Sequence, residues 1–231
     1  SPVLLQPPID FANVGYTFIH IPNAHDEDGD ELYFELITPL RAVGDEVPFY
    51  QYPNEVEAGP DNNLTLDPYT GVLIWDAPQR AGIYNIAILV REFRNGVEMG
   101  NLIRDMQIIV DDLFNRPPEI VAVHDTCVVV GETLVIDVEA SDPDTGQSVT
   151  LTALGGPFVV PNPATFSSMS ATNPTTGTFS WDVGCEHIFS EQYTVVFKAE
   201  DNFVGGSPAA PRPLADLEHW QISVVPAPPE F

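Results

Sequence analysis

The residues from Ala24 to Leu32, "AHDEDGDEL", set Asp26, Glu27, Asp28, Asp30 and Glu31 around a single glycine, and no Lys or Arg is nearer in sequence than Arg41. A second acidic turn, "ASDPDTGQS" from Ala140 to Ser148, repeats the Asp-x-Asp spacing at Asp142 and Asp144. Carboxylates two residues apart on an extended turn can converge on a hard cation such as Ca2+, which takes roughly six to eight oxygens. Two aspartates cannot fill that shell, so each turn is at most half of a site. The plainer reading is a solvated acidic surface that keeps the chain soluble.

Other chemistries fit less well. As an EF-hand loop, "DEDGDELYFELI" has Glu31 where the sharp turn needs glycine and Ile37 where a bidentate glutamate belongs. "DTG" at Asp144 to Gly146 lacks the second copy with which an aspartic protease shares its proton. The five histidines (His20, His25, His124, His187, His219) are scattered, and neither HExxH nor GxSxG occurs. Carboxylates abound, but short alternating strands reveal no cleft for a pair of glycosidase acids. The chain reads as a non-enzyme.

The elements that must hold these turns come from a repeat. Gly15, Thr17, Ala24, Asp26 and Asp28 align with Gly131, Thr133, Ala140, Asp142 and Asp144 at a constant offset of 116. Further on, "TGVLIW" (Thr70 to Trp75) matches "TGTFSW" (Thr176 to Trp181), "YNIAILVRE" from Tyr84 matches "YTVVFKAED" from Tyr193, and "MQIIV" matches "WQISV". Each unit has the size of a β-sandwich domain, roughly 100 residues. Short β-branched and aromatic runs such as "YTFIHI", "LVIDVEA" and "YTVVFKA" lie between turns rich in the chain's 23 prolines and 16 glycines, so the chain is predicted to be all-β. Domain 1 is placed at residues 1–112, a linker at 113–116 and domain 2 at 117–231. Trp75 and Trp181, at equivalent strand positions, are read as core residues.

Composition narrows the partners. With 34 acidic and 8 basic residues among 231, the formal charge of -26 repels phosphate backbones and argues against nucleic acid. No apolar run approaches the roughly 18 residues of a membrane span, and no basic-then-apolar leader opens the chain, which reads as a mature or excised piece without direct membrane insertion. Cys127 and Cys185 are too few for a zinc cage. Their simplest reading is one disulfide, worth roughly 4 kcal/mol in the chain-entropy model, with two separate buried thiols as the alternative. The segment Glu46 to Asn63 brings Phe49, Tyr50 and Tyr52 into a proline-bounded loop. They could contact a glycan or protein ligand, or fold back on their own sandwich.

In its combination of motifs the chain resembles the cadherin-like and dystroglycan-type Ig-like repeats of extracellular proteins. The resemblance rests on A-x-D-x-D near the start of each unit, T-G-x-x-x-W in the middle, the late A-x-D of Ala199 and Asp201, and the acidic, proline-ended linker. The second unit, with "FSWDVGCEH" followed by "YTVVFKAEDN", is similar to repeats of large bacterial surface adhesins of the gliding-motility and type IX secretion group, which carry one cysteine early in the domain and one after the tryptophan.

The resemblance implies two tandem antiparallel β-sandwiches, secreted or at the cell surface, with Ca2+ at the domain junction. Carried over by position, the junction ligands are Asp142, Asp144 and Asp201 with Asp111, Asp112 and Asn115 of the linker. In domain 1, Asp26 and Asp28 pair with Glu92, and Asp30 joins them. The linker "DDLFN" departs from the usual D-x-N-D-N, and "WDAPQRAG" stands where D-R-E is usual. The function that follows is a calcium-stiffened spacer and adhesion segment, whose partners are neighbouring repeats of the same chain and a surface ligand. The alternative is a non-catalytic carbohydrate-binding module of a secreted hydrolase.

Overall fold

The structure is a computed structural model and describes residues 2–169, 172–189, 191–206 and 210–228. In the first half run β1 (Ile9–Asn13), β2 (Phe18–His20), β3 (Glu31–Ile37), β4 (Leu64–Leu66), β5 (Leu73–Trp75), β6 (Gly82–Arg94) and β7 (Val97–Asp111), with one short helix, α1 (Pro53–Val56). In the second run β8 (Glu119–Ile120), β9 (Thr126–Val129), β10 (Thr133–Ser141), β11 (Thr150–Gly155), β12 (Thr165–Ser168), β13 (Thr175–Asp182), β14 (Tyr193–Glu200) and β15 (Ala215–Val225). Domain 1 stacks the sheet β1-β7-β6-β3 on β2-β5-β4, and domain 2 stacks β9-β15-β14-β11 on β8-β10-β13-β12. These are two Ig-like or cadherin-like sandwiches of the same strand order.

The repeat survives down to register. Leu4 pairs with Ala24 and Ile120 with Ala140; Phe18 pairs with Trp75 and Leu134 with Trp181. Leu4 and Phe18 each become their counterparts, Ile120 and Leu134, by the same shift of 116. The sheets are not wholly antiparallel: β1 runs parallel to β7, and β9 parallel to β15. An early strand of each domain lies beside the strand on which the chain leaves it, and both strands travel the same way.

Side chains alternate as period-2 strands require. Tyr84, Ile86, Ile88 and Val90 point inward from β6, and Tyr193, Val195, Phe197 and Ala199 from β14. Trp75 and Trp181 are both 1 % exposed and sit in separate cores, as read from the sequence. The glycine of each T-G-x-x-x-W motif has a steric reason. A Cβ on Gly71, at φ +73°, would lie 2.9 Å from the Phe34 ring, and one on Gly177 would lie 2.2 Å from the Phe166 ring. Each glycine lets a core ring lie against the backbone.

The Cys127–Cys185 bridge expected from the sequence is not formed. Cys127 lies on β9 beside Ser223, Cys185 opens a 3₁₀ turn after β13 in the other sheet, and both are exposed free thiols, neither bridged nor buried. Of the loop aromatics, Tyr50 and Tyr52 fold back onto domain 1. Their rings meet edge to face at 5.1 Å, and the Tyr50 hydroxyl donates to the Asn85 carbonyl at 2.7 Å. Phe49 is fully exposed.

The two domains also touch face to face. Val196 on β14 and Leu217 on β15 project from the outer side of their sheet, where alternation predicts exposure, yet Val196 is 0 % exposed. They pack against Ile21, with Ile19 and Val72 beside it, on the outer side of β2-β5-β4. Polar contacts flank this seam: Lys198 Nζ lies 3.8 Å from Asp10, and Arg212 pairs with Asp111 at 3.1 Å while lying over the Phe11 ring. Burying each such aliphatic side chain contributes roughly 1.5–3 kcal/mol, so the seam is the main apolar tie between the domains. Val196→Asp, which strands a charge there, is expected to separate the domains while both cores persist. An increased radius of gyration in solution scattering, with the near-ultraviolet tryptophan signal intact, is the outcome expected. An unchanged envelope and melt would refute the role of the seam.

Candidate cation sites at the acidic turns

The domain 1 turn is built on Asp26. Its Oδ1 accepts from the Asp28 amide at 2.9 Å and the Asp30 amide at 3.3 Å, which curls the turn and directs Asp30 inward. Asp30 leads into β3, and Glu92 stands two residues before the end of β6, at a register shift where β6 meets β7. A bulge of this kind re-aims a side chain. Asp26, Asp30 and Glu92 are 5 %, 6 % and 7 % exposed, and one oxygen from each lies within 4.8 Å of the others. Oxygens no farther apart than this can be reached together by one Ca2+ ion with metal–oxygen bonds of about 2.4 Å.

A guanidinium already reaches this cluster. Arg94 donates from Nε to Asp30 Oδ1 at 2.6 Å and from Nη2 to Asp30 Oδ2 at 2.7 Å, and reaches Asp28 at 3.1 Å. The hydrogen bond from Arg94 holds the Asp30 carboxyl below its ordinary range, while burial, the hydrogen bond with Asp30 and repulsion from Asp26 push Glu92 above its own. Arg94 thus supplies positive charge at Asp30, while burial and the neighbouring carboxylates act on Glu92. Asp28, predicted as a ligand, faces Arg94 and lies outside the converging trio. Arg94 itself is fixed by the tight hairpin Asn95-Gly96, both residues at positive φ, which returns β6 into β7. That Asn-Gly pair was the sequence signal that could have located it.

The domain 2 turn repeats the motif with a different outcome. Asp142 Oδ1 accepts from the Asp144 amide at 2.7 Å, and Asp142 Oδ2 is buried with no hydrogen-bond partner among the described residues. Arg116, missed by the sequence reading, holds Asp144 with its backbone amide at 2.8 Å and its Nε at 2.9 Å, and donates to the Pro143 carbonyl. Asn115 is 3 % exposed. Its Nδ2 donates to Asp201 at 2.8 Å, and its Oδ1 accepts from Gln147 at 2.6 Å. An asparagine ligates a cation through Oδ1, so the amide is set here for hydrogen bonding and would have to turn to serve as a ligand. Asn13 pins the linker by donating to the Leu113 and Asn115 carbonyls and accepting from the Leu113 amide.

Of the junction residues, Asn115 and Asp201 meet, as do Asp142 and Asp144, while Asp111 is drawn to Arg212 and Asp112 is exposed. Among the described residues, the acidic group whose oxygens converge is Asp26, Asp30 and Glu92. The residues of domain 1 thus converge as a divalent cation requires, with Arg94 already on Asp30. Those of the junction fit one once Arg116 leaves Asp144.

No protein-family model matches the chain, and no curated protein matches it. Among solved structures it is similar to human mucin-like protocadherin EC1-2, at 15 % identity over 98 % of this chain and 99 % of that one with a TM-score of 0.33. It is similar also to the human desmocollin-1 ectodomain, at 13 % identity over 98 % of this chain and 42 % of that one with a TM-score of 0.34. The N-terminal Ig1-2 module of the Drosophila receptor protein tyrosine phosphatase DLAR matches at 14 % identity over 96 % and 99 % of the two chains, with a TM-score of 0.33. The strand pairing described above, rather than these likenesses, assigns the fold.

Burial lifts the carboxyls of Asp142 and Asp201 above the ordinary range, helped by repulsion from Asp144 on the first and from Asp142 on the second, against hydrogen bonds from the Asp144 amide and, at Asp201, from the Phe203 amide and Asn115. A carboxyl raised in the folded state holds its proton longer there than in the unfolded chain. It therefore costs stability as pH rises through its folded value, and the cost is absent in acid. In a chelating buffer Asp142→Asn is expected to melt above the parent at pH 7, with the gap closing toward about pH 4 as the parent carboxyl protonates. A variant that melts below the parent at both pH values would contradict this account.

Proposed function

We propose that the chain is a non-catalytic, extracellular tandem-repeat segment of adhesion type, a spacer whose acidic turns take up Ca2+. The observation that carries this reading is the convergence of Asp26, Asp30 and Glu92 at the edge of the cleft between the domains, in a chain whose two sandwiches repeat the same turn. Calcium would be held there by Asp26, Asp30 and Glu92, with Asp28 left on Arg94 outside the trio. Asp142, Asp144, Asp201 and Asn115 form the second candidate, and Asp111 and Asp112 lie beside it. Their carboxylates are served in the meantime by Arg116 and by hydrogen bonds.

In this reading stiffness has two sources. The apolar seam and the clamps of Arg116 and Arg212 hold the domains together without metal, and the cation tightens the turn that borders the seam. The partners are neighbouring repeats of the same chain and a ligand at the cell surface, and the segment belongs to a surface adhesin of the kind that the cysteine-bearing second unit resembles. Among the described residues no helix is long and apolar enough to cross a membrane.

A cation that binds the folded chain alone stabilises it by about 2.7 kcal/mol at a hundredfold excess over its dissociation constant. Adding CaCl2 to chelator-treated protein is expected to raise the melting temperature of the parent, with Glu92→Gln losing most of that rise. An identical melt with and without calcium would remove the reading.

A further inference from the structure

The largest concavity around the acidic turn is a cleft of about 270 Å³ between the domains, walled by Asp26, Glu31 and Tyr69 on one side and by Phe189 and Gln192 on the other. Asn23 lines it too. It is 2 % exposed, and among the described residues neither its Nδ2 nor its Oδ1 has a hydrogen-bond partner. A buried amide lacking both bonds is costly, roughly 1–3 kcal/mol for each group left unmade, so it favours a polar guest in the cleft. Asn23 is also held at φ +50°, a conformation that asparagine tolerates better than most residues. No Lys or Arg is among the described residues lining the cleft, which disfavours an anionic occupant.

The choice left is between a cation and a neutral polar molecule, and Asn23 decides it. An ammonium only donates, so it could satisfy Oδ1 and would leave Nδ2 unpaired. Adjacent hydroxyls of a sugar ring both donate and accept, and can meet both atoms of one amide. The remaining walls suit the same guest: carboxylates and the Gln192 amide accept and donate at the ring's edge, and Tyr69 and Phe189 offer aromatic faces to its C–H surface. The volume falls just below the roughly 300–1,000 Å³ of ordinary small-molecule sites, room for one ring rather than an extended chain. We propose that this interdomain cleft binds a single neutral saccharide unit, with Asn23 as its central hydrogen-bonding group. The inference goes beyond the calcium-bound spacer and does not rest on it, and the site is distinct from the loop aromatics Phe49, Tyr50 and Tyr52.

The test is a titration of isotope-labelled chain with methyl glycosides of glucose, galactose, mannose and N-acetylglucosamine at millimolar concentration, followed by amide NMR in calcium and again in chelator. Spermidine and an N-acetyl-lysine amide serve as cationic probes. Asn23→Gly removes the amide and keeps the backbone conformation unstrained, and Phe189→Ala alters the opposite wall. Saturable shifts on both sides of the cleft with at least one glycoside, in either buffer, weakened at least about tenfold in both variants, are the result expected. No saturable shift with any glycoside, equal binding by Asn23→Gly, or saturation by the amines alone would overturn the proposal. The calcium melt of the same samples reads the spacer hypothesis separately, so either idea can fail without the other.

Discussion

The constraint on which this molecule depends is a shortage of positive charge: eight basic side chains must serve thirty-four acidic ones. Carboxylates on an open surface need no service, because water screens them. Those drawn into the folded turns do. Desolvation there favours the neutral acid unless a proton, a guanidinium or a metal ion intervenes. The chain stations Arg94 at one turn and Arg116 at the other, each on the second aspartate of the Asp-x-Asp motif, and leaves the first aspartate to cap backbone amides. Burial pushes the acid upward at Glu92 in domain 1 and at Asp142 and Asp201 in domain 2.

The same pattern of strands therefore yields two electrostatically different turns. In domain 1 the strand-end hairpin brings its arginine in from the side, and three carboxyl groups still face one another. In domain 2 the arginine belongs to the linker, so the clamp on Asp144 is also a tie between the linker and the sandwich it enters. With Asn13 holding the linker from the other side, residues 113–116 are gripped by both domains and behave as part of the interface rather than as a free hinge.

Much of the fold was legible because a repeat carries register as well as composition. The shift of 116 carries Phe18 to Leu134, the recurring T-G-x-x-x-W motif carries Trp75 to Trp181, and the sheets pair accordingly. The ion pairs were not legible: Arg94 lies 64 residues from Asp30 and reaches it through strand pairing, so nothing local announces the contact. Nor does a sequence say which way the Asn115 amide points, although that orientation separates a ligand from a hydrogen-bonding strut. The domain seam had a local sign. "YTVVFKA" places two valines in succession, and strict alternation with one face in water would have made the second polar. Val196 is that second valine. Cysteine spacing, by contrast, carries no geometry of its own, and Cys127 lies free on a strand while Cys185 lies free in a 3₁₀ turn.

The covered face has a counterpart in domain 1. Ala87 occupies on β6 the place that Val196 holds on β14, and it too is completely buried. Over that sheet lies the segment that carries Tyr50 and α1, joined to it through the Asn85 carbonyl. The outer sheet faces of the two domains therefore differ: that of domain 2 is met by domain 1, while that of domain 1 is met in part by its own loop, with Ile83 left exposed beside it.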